Sequence, residues 1–294
     1  MSVKINKSAE EFPQKAVVAC QGIAGSNSET ACRTLFSDPD IMFFKSFEAV
    51  FSAVEKGMCK YGILPIENST HGSVTGVYDL MRKHSFGIVK AVKISISHNL
   101  LGLENAKLSG IKEVLSHEQA IGQCSDFLRK HPEIKVTVCA NTAVAARTVA
   151  ESGREDLAAI CSEQCAEIYG LKTLSKNIQD AQYNCTRFIC ISAEPVIYDG
   201  SDKVSIVCSL PHKPNSLYGL LATFADYNID GEKVNLTKIE SRPIPGTDFE
   251  FVFYIDFETK LSDDKLAMLL GDLEIYAPKL EVLGIYSESS DIAE

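Results

Sequence analysis

The chain has 294 residues, with 39 acidic against 29 basic side chains, a formal net charge of −10 and 45% hydrophobic residues. Such an acidic balance argues against a nucleic-acid partner, and no run of about 18 apolar residues offers a membrane span. Length alone points to two or three domains.

The N-terminal stretch MSVKINKSAEEF lacks an apolar signal core. KAVVAC (15–20) reads as a strand, QGIAGSN as a glycine-bearing loop, and a short helix follows from about Ser28. IMFFKS (41–46) is a second strand. Phe47, Val50, Phe51 and Val54 then recur at helical spacing up to Gly57. YGILPI (61–66) is a third strand, ENSTHGS a polar loop, and Val74, Val77, Leu80 and Met81 mark another helix. This alternation implies α/β layers with largely parallel pairing.

A long strand-like segment, 86–101, opens a second unit. Ser116 and Gln119 form a capping-box pattern ahead of a helix with Ile121, Cys124, Phe127 and Leu128 on one face. VTVCA (136–140) and DLAAIC (156–161) are strands; NTAVAARTVAES (141–152) and SEQCAEIYG (162–170) are helices. EPVIYDGSD (194–202) reads as a linker. Beyond it KVSIVCSL, SLYGLLATFADY, KVNLTKIESR, FEFVFYIDFE, SDDKLAMLLGDL and KLEVLGIYSE spell βαββαβ, a split β-α-β unit.

Ten cysteines show no C-x-x-C pair and sit inside apolar stretches, as small hydrophobes in a reducing cytosol would. Six scattered histidines give no metal spacing, so no metal is expected. No phosphate loop or Ser-His-Asp order appears. What remains is polar residues in loops at strand ends, where open α/β sheets bind ligands. The loops are Gly22–Ser28, Glu67–Ser73, Asn141–Thr142 and Ser162. Three lead into helix N-termini, whose free N–H groups favour anions. Taken singly each is plain N-capping; together they describe a cleft for a carboxylate-rich ligand.

YGILPIENSTHGSV, NTAVAAR, AEIYGL, QDAQYNCTRF, HKPNSLYGLL and NLTKIESRP, in this order over almost the whole chain, resemble the prephenate dehydratase family. No chorismate mutase segment precedes them, so the monofunctional form is expected. The resemblance implies a two-lobed, periplasmic-binding-protein-like α/β catalytic region over 1–195, with lobe 1 at about 15–100 and 174–192 and lobe 2 at about 101–173. It implies a C-terminal ACT, ferredoxin-like domain at 203–287. The implied activity is that of a cytoplasmic carbon–oxygen lyase of phenylalanine biosynthesis. Prephenate loses its ring hydroxyl and a carboxylate to give phenylpyruvate, without a cofactor because aromatisation drives the reaction.

By the same resemblance Thr186 is the catalytic threonine, donating toward the leaving oxygen directly or through a relay. Asn68 and Ser69 hydrogen-bond substrate, while Glu67 orients them or takes part in proton transfer. Arg187 either pairs with a substrate carboxylate or turns away to a structural salt bridge. Phe188 shapes the cleft, and Asn141, Thr142 and Ser162 bind substrate. His71 is treated as peripheral, since the motif does not require histidine there. Departures from the family pattern are Asn27, where an aromatic is usual, and Asn141, where the family commonly has serine. L-phenylalanine is the expected effector, held by Asn215, Ser216, Leu217, Glu240, Ser241, Arg242 and Pro243. The usual Gly-Ala-Leu reads Asn215-Ser216-Leu217, and about five extra residues fall at 230–234, so binding weaker than in a typical member is expected. A homodimer or dimer of dimers with paired ACT sheets is expected. The alternatives are an arogenate dehydratase and, in another class, a non-catalytic amino-acid sensor.

Overall fold

The computed structural model describes residues 11–227, 234–244, 246 and 250–291. The chain divides into two compact units: Gln14–His84, Val92–Ile189 and Ser290–Glu294 in one, Met1–Pro13, Ser85–Ala91 and Cys190–Ser289 in the other.

The first unit opens with β1 (Lys15–Gln21), α1 (Asn27–Leu35), β2 (Asp38–Phe44), α2 (Phe47–Glu55), β3 (Tyr61–Asn68), β4 (Gly72–Ser73) and α3 (Thr75–Met81). β1 pairs in parallel with both β2 and β3. β2 starts three residues before the predicted 41 and includes Pro39. It is the edge strand of its sheet, where a missing backbone donor is tolerated. The predicted polar loop at 67–73 is a tight hairpin instead, with Glu67 opposite Ser73 and Asn68 opposite Gly72.

The predicted single strand over 86–101 is two, β5 (Gly87–Ser95) and β6 (Asn99–Gly102), broken at Ile96–His98. β7 (Glu113–Ser116), α4 (Glu118–Gln123), α5 (Ser125–Arg129), β8 (Lys135–Val138), α6 (Thr142–Ser152), β9 (Leu157–Cys161), α7 (Gln164–Tyr169), β10 (Lys172–Ser175) and β11 (Cys185–Ser192) follow. A second sheet runs β10-β6-β9-β7-β8, with β7 parallel to β8 and β9 and β6 antiparallel to β9. Its central strands, β6, β9 and β7, are apolar on both faces. Leu101, Leu115, Ala159 and Cys161 pack on one side with α6, and Leu100, Val114, Ala158 and Ile160 on the other. That explains why these strands read as unbroken apolar runs rather than alternating ones.

The predicted capping box at Ser116 does not form. Ser116 ends β7 and its Oγ donates to the Ile160 carbonyl at 2.6 Å, while His117 caps α4 by accepting from the Gln119 N–H. The helix expected there is split at Cys124.

In the other unit β12 (Lys203–Ser209), α8 (Ser216–Asp226), β13 (Val234–Pro243), β14 (Phe251–Thr259), α9 (Asp263–Tyr276) and β15 (Lys279–Tyr286) give the predicted βαββαβ order. Their antiparallel sheet runs β13-β14-β12-β15. Val204, Ile206, Ile255 and Phe257 pack under Leu220, Phe224, Leu266 and Leu269 of the two helices. A short β16 (Glu288–Ser290), too brief to read from sequence, pairs with β5, and beside it Ala91 N–H bonds the Ser287 carbonyl. All ten cysteines are free thiols and nine are buried, consistent with use as small apolar residues. Among the described residues no helix is long and apolar enough to cross a membrane.

Asn215 precedes α8 in the left-handed region, at φ 66°. Glycine reaches this region without steric cost and asparagine is the next most tolerant residue. Asn215→Ala should therefore lower stability by about 1 kcal/mol, whereas Asn215→Gly should be neutral or stabilising. Urea unfolding of the two variants checks this; equal loss in both would contradict it.

Candidate active site

A cavity of about 550 Å³ lies in the first unit, between the β1–β3 sheet and the β6–β9 sheet. The starts of α1, α3, α4 and α6 line it, through Asn27, Thr75, Gln119 and Thr142 among others. Its lining holds no lysine, arginine, aspartate or glutamate, only His71, His98 and His117 as titratable groups. Four helix N-termini thus present partial positive charge where no full charge exists.

Each N-terminus has its own local cause. Ser26 Oγ accepts from the Glu29 N–H at 3.4 Å, and Glu29 Oε2 accepts from the Gly25 N–H at 2.7 Å. The sequence S-N-S-E has the capping-box pattern, but Glu29 takes the N–H one residue before the N-cap, while the Ser26 N–H donates to the Ile23 carbonyl at 3.1 Å. Gly25 sits at φ 82°, and a Cβ there would lie 2.8 Å from Cys165 Sγ, so backbone conformation and close approach both require glycine. Asn141 Oδ1 accepts from the Val144 N–H at 2.8 Å, so asparagine caps α6 as a serine would. α3 begins without a side-chain cap.

The two blocks Pro-Ile-Glu-Asn-Ser and Thr-Arg-Phe meet in space. Ser69 N–H donates to the Cys185 carbonyl at 2.8 Å, and Cys185 N–H donates to Ser69 Oγ at 2.9 Å. This pair pins the start of β11 to the β3–β4 hairpin. Asn68 Oδ1 accepts from the backbone N–H groups of Thr70 and His71, at 3.0 and 3.1 Å, and from Thr70 Oγ1 at 2.6 Å. Backbone N–H can only donate, so the amide has one possible orientation. Asn68 Nδ2 therefore donates, reaching Asn184 Oδ1 at 2.8 Å, the Cys185 carbonyl at 3.2 Å and Thr186 Oγ1 at 2.9 Å. Thr186 Oγ1 thus accepts from Asn68, and Thr186 lines the cavity.

The constraint propagates. Asn184 Oδ1 accepts, so Asn184 Nδ2 donates to Gln123 Oε1 at 3.1 Å. Gln123 Oε1 also receives His98 Nε2 at 2.6 Å, which fixes the His98 proton on Nε2. Gln123 Nε2 then donates to Thr70 Oγ1 at 2.9 Å and to His71 Nδ1 at 3.0 Å. His98 is 4% exposed, and burial pushes its pKa below the ordinary 6.5, partly opposed by the bond to Gln123.

Of the residues expected from sequence, Asn68, Asn141, Thr142, Thr186 and Phe188 line the cavity. Glu67, Ser69, Ser162 and Arg187 do not. Ser162 Oγ instead bonds the Gly25 carbonyl at 3.4 Å, holding the first loop. Arg187 is buried and lies between the two cavity-facing residues of β11, as strand alternation requires. His71, read as peripheral, is in the lining. Gln123 and His98 also line the cavity, and Asn184 joins its network, without a motif that marks them. Asn184 was visible two residues ahead of Thr186, whereas Gln123 showed only as a polar neighbour of Cys124 on an apolar helix.

In the other unit a cavity of about 420 Å³ is walled by Leu210, Leu217, Phe251 and Phe253, with Lys213 and Glu250 at its lining. Ser216 also lines it, while Asn215, Glu240, Ser241, Arg242 and Pro243 do not. Pro243 and Ser241 on β13 pair with Phe251 and Phe253 of β14, so the expected strand end adjoins the wall. Residues 230–233 of the expected insertion lie outside the described residues.

A prephenate dehydratase family profile matches residues 18–196. A chloroplastic arogenate dehydratase/prephenate dehydratase of Arabidopsis thaliana is 39% identical, over 95% of this chain and 74% of that protein. The prephenate dehydratase of Methanocaldococcus jannaschii is 38% identical over 89% and 94% of the two chains. Among solved structures, the prephenate dehydratase of Arthrobacter aurescens in complex with L-Phe superimposes with a TM-score of 0.81 at 28% identity, covering 92% of this chain and 90% of that one.

His98 ties the site to pH. As pH falls below 6.5, unfolded His98 takes up a proton before the folded residue does, so acid favours the unfolded chain until the lower folded pKa is passed. His98→Gln removes this contribution. The unfolding free energy of the wild type should therefore fall relative to that of the variant between pH 7 and pH 5 in urea titrations. Parallel pH profiles would contradict it.

Proposed function

The chain belongs to the prephenate dehydratase family, and on that premise we propose that it converts prephenate to phenylpyruvate. The observation that supports this reading is that Thr186, whose Oγ1 accepts from Asn68 Nδ2, lines a cavity with helix starts and without lysine or arginine among its described residues.

Prephenate is a dianion. Its carboxylates suit the helix starts, and the uncapped first turn of α3 offers the N–H groups of Thr75 and Gly76. The carboxylate leaves as CO₂, and the electron pair of the broken C–C bond passes into the ring. The ring C–O bond then breaks with its pair, and the departing oxygen takes one proton to leave as water. Dianion plus one proton gives phenylpyruvate monoanion, CO₂ and water, so the protein must deliver that proton. Thr186 is the donor group: Asn68 Nδ2 on its oxygen makes the hydroxyl a better donor and aims it. A threonine proton given away must be replaced, and water in the cavity completes that relay. A positioned donor contributes roughly 10²–10⁴-fold. Phe188 supplies cavity wall; Glu67, Ser69 and Arg187 support the loop and strand that present Asn68 and Thr186.

Arogenate carries an amine where prephenate has a ketone. The identity to plant relatives named for arogenate makes arogenate dehydration the second reading.

The C-terminal cavity supports L-phenylalanine as effector. An apolar wall with one lysine and one glutamate matches an apolar ring on a zwitterionic backbone, and the Arthrobacter aurescens relative is described in complex with L-Phe. We place the enzyme in the cytoplasm as a homodimer or dimer of dimers joined through the ACT sheets.

Ultraviolet assay of phenylpyruvate formation tests the reading. Thr186→Val keeps shape and deletes the hydroxyl, so turnover on prephenate should fall at least ~100-fold with KM changed much less. Turnover like the wild type's would remove Thr186 from the mechanism.

A further inference from the structure

We propose that His71 is a substrate-binding residue, whose Nε2–H donates to an anionic or carbonyl oxygen of the substrate. The inference rests on the prephenate dehydratase reading and assigns a group that the sequence motif does not demand.

The argument starts from the forced amide orientations. Gln123 Nε2 is a donor, so His71 Nδ1, 3.0 Å away, is an acceptor. Thr70 Oγ1 lies 2.9 Å from the same nitrogen, but its hydrogen goes to Asn68 Oδ1 at 2.6 Å. An imidazole that accepts at Nδ1 carries its proton on Nε2. Among the described residues no hydrogen-bond partner reaches Nε2. The ring is exposed and lines the cavity. Nδ1 is therefore the anchor and Nε2 the nitrogen offered to a ligand. A fixed ring gives its donor at little entropic cost, unlike a surface lysine.

The cavity's composition adds the second part. A dianion must be held without lysine or arginine in the lining. His98 has given its Nε2 to Gln123. His117 Nδ1 accepts from the Gln119 N–H and caps α4, so its Nε2 also carries a proton, but nothing ties its ring to the Asn68 network. Of the three, His71 alone also donates its backbone N–H to Asn68 Oδ1, so substrate bound at its ring is registered directly against Thr186.

His71→Asn separates binding from positioning. Asparagine Oδ1 replaces Nδ1 as acceptor for Gln123, while nothing replaces the Nε2 donor. KM for prephenate should rise about 10-fold with kcat within about threefold of the wild type. His71→Gln, whose amide reaches the Nε2 position, should recover much of that loss. A rise seen with prephenate and not arogenate puts the contact on the ketone; a rise with both puts it on a shared carboxylate. Either supports the assignment. KM within twofold of the wild type, or a fall in kcat alone, overturns it. Should the variants fail to fold, ¹⁵N-histidine NMR of the wild type titrated with phenylpyruvate decides: the His71 Nε2 resonance shifts while Nε2 stays protonated, and an unmoved resonance overturns the proposal. A wild type inactive on both substrates refutes the functional reading itself; an active wild type with unmoved variants refutes only His71.

Discussion

Two backbone N–H groups, those of Thr70 and His71, decide the chemistry of this site. Both converge on Asn68 Oδ1, and neither can accept a hydrogen bond. One end of the amide is thereby an acceptor, and its other end must donate to Asn184, the Cys185 carbonyl and Thr186. Each later orientation follows: Asn184, then Gln123, then the tautomers of His98 and His71. The network joins residues from 68 to 186 and ends on Thr186 Oγ1, which lines the cavity. Networks in which every partner is committed resist reorganisation, because leaving a buried donor or acceptor unmatched costs roughly 1–3 kcal/mol. On the proposed mechanism, that rigidity is what lets a proton donor of ordinary acidity work by position.

The electrostatics follow a related logic. The chain is acidic, and among the described residues the cavity lining has no carboxylate, lysine or arginine, its titratable groups being three histidines. On the proposed reading, attraction for a dianion comes from the starts of four helices and from neutral donors already held in place. Partial charges of this kind need no counter-ion. They also need little reorganisation when carboxylate is lost as CO₂ and negative charge at that position disappears.

Much of this was legible in the sequence, for physical reasons. The βαββαβ order was readable because each element has its own period, two along the strands and 3.6 along the helices. The cleft was readable because Asn68, Asn141 and Thr186 stand at strand ends next to polar loops. What failed was local. The strand at 86–101 looked continuous because the break at Ile96–His98 has no glycine or proline. Ser116 looked like a cap because a serine three residues before glutamine has that pattern, but its hydroxyl found the Ile160 carbonyl across the sheet. β4, β10 and β16 are two to four residues long, below any usable period. Gln123, His98 and His71 were missed as partners because their roles arise from contacts 25 to 61 positions apart in the chain.

The central claim is that the donor end of Asn68 aims the Thr186 hydroxyl, and Asn68→Asp tests it most directly. Aspartate has nearly the same shape, keeps the acceptor for Thr70 and His71, and loses the donor, so the Thr186 proton would turn to the new carboxylate and away from the cavity. The account predicts that prephenate turnover at saturating substrate falls at least ~100-fold in Asn68→Asp, comparable to deleting the hydroxyl itself. Turnover within a few-fold of the wild type would show that Thr186 needs no such orientation, and would contradict the account.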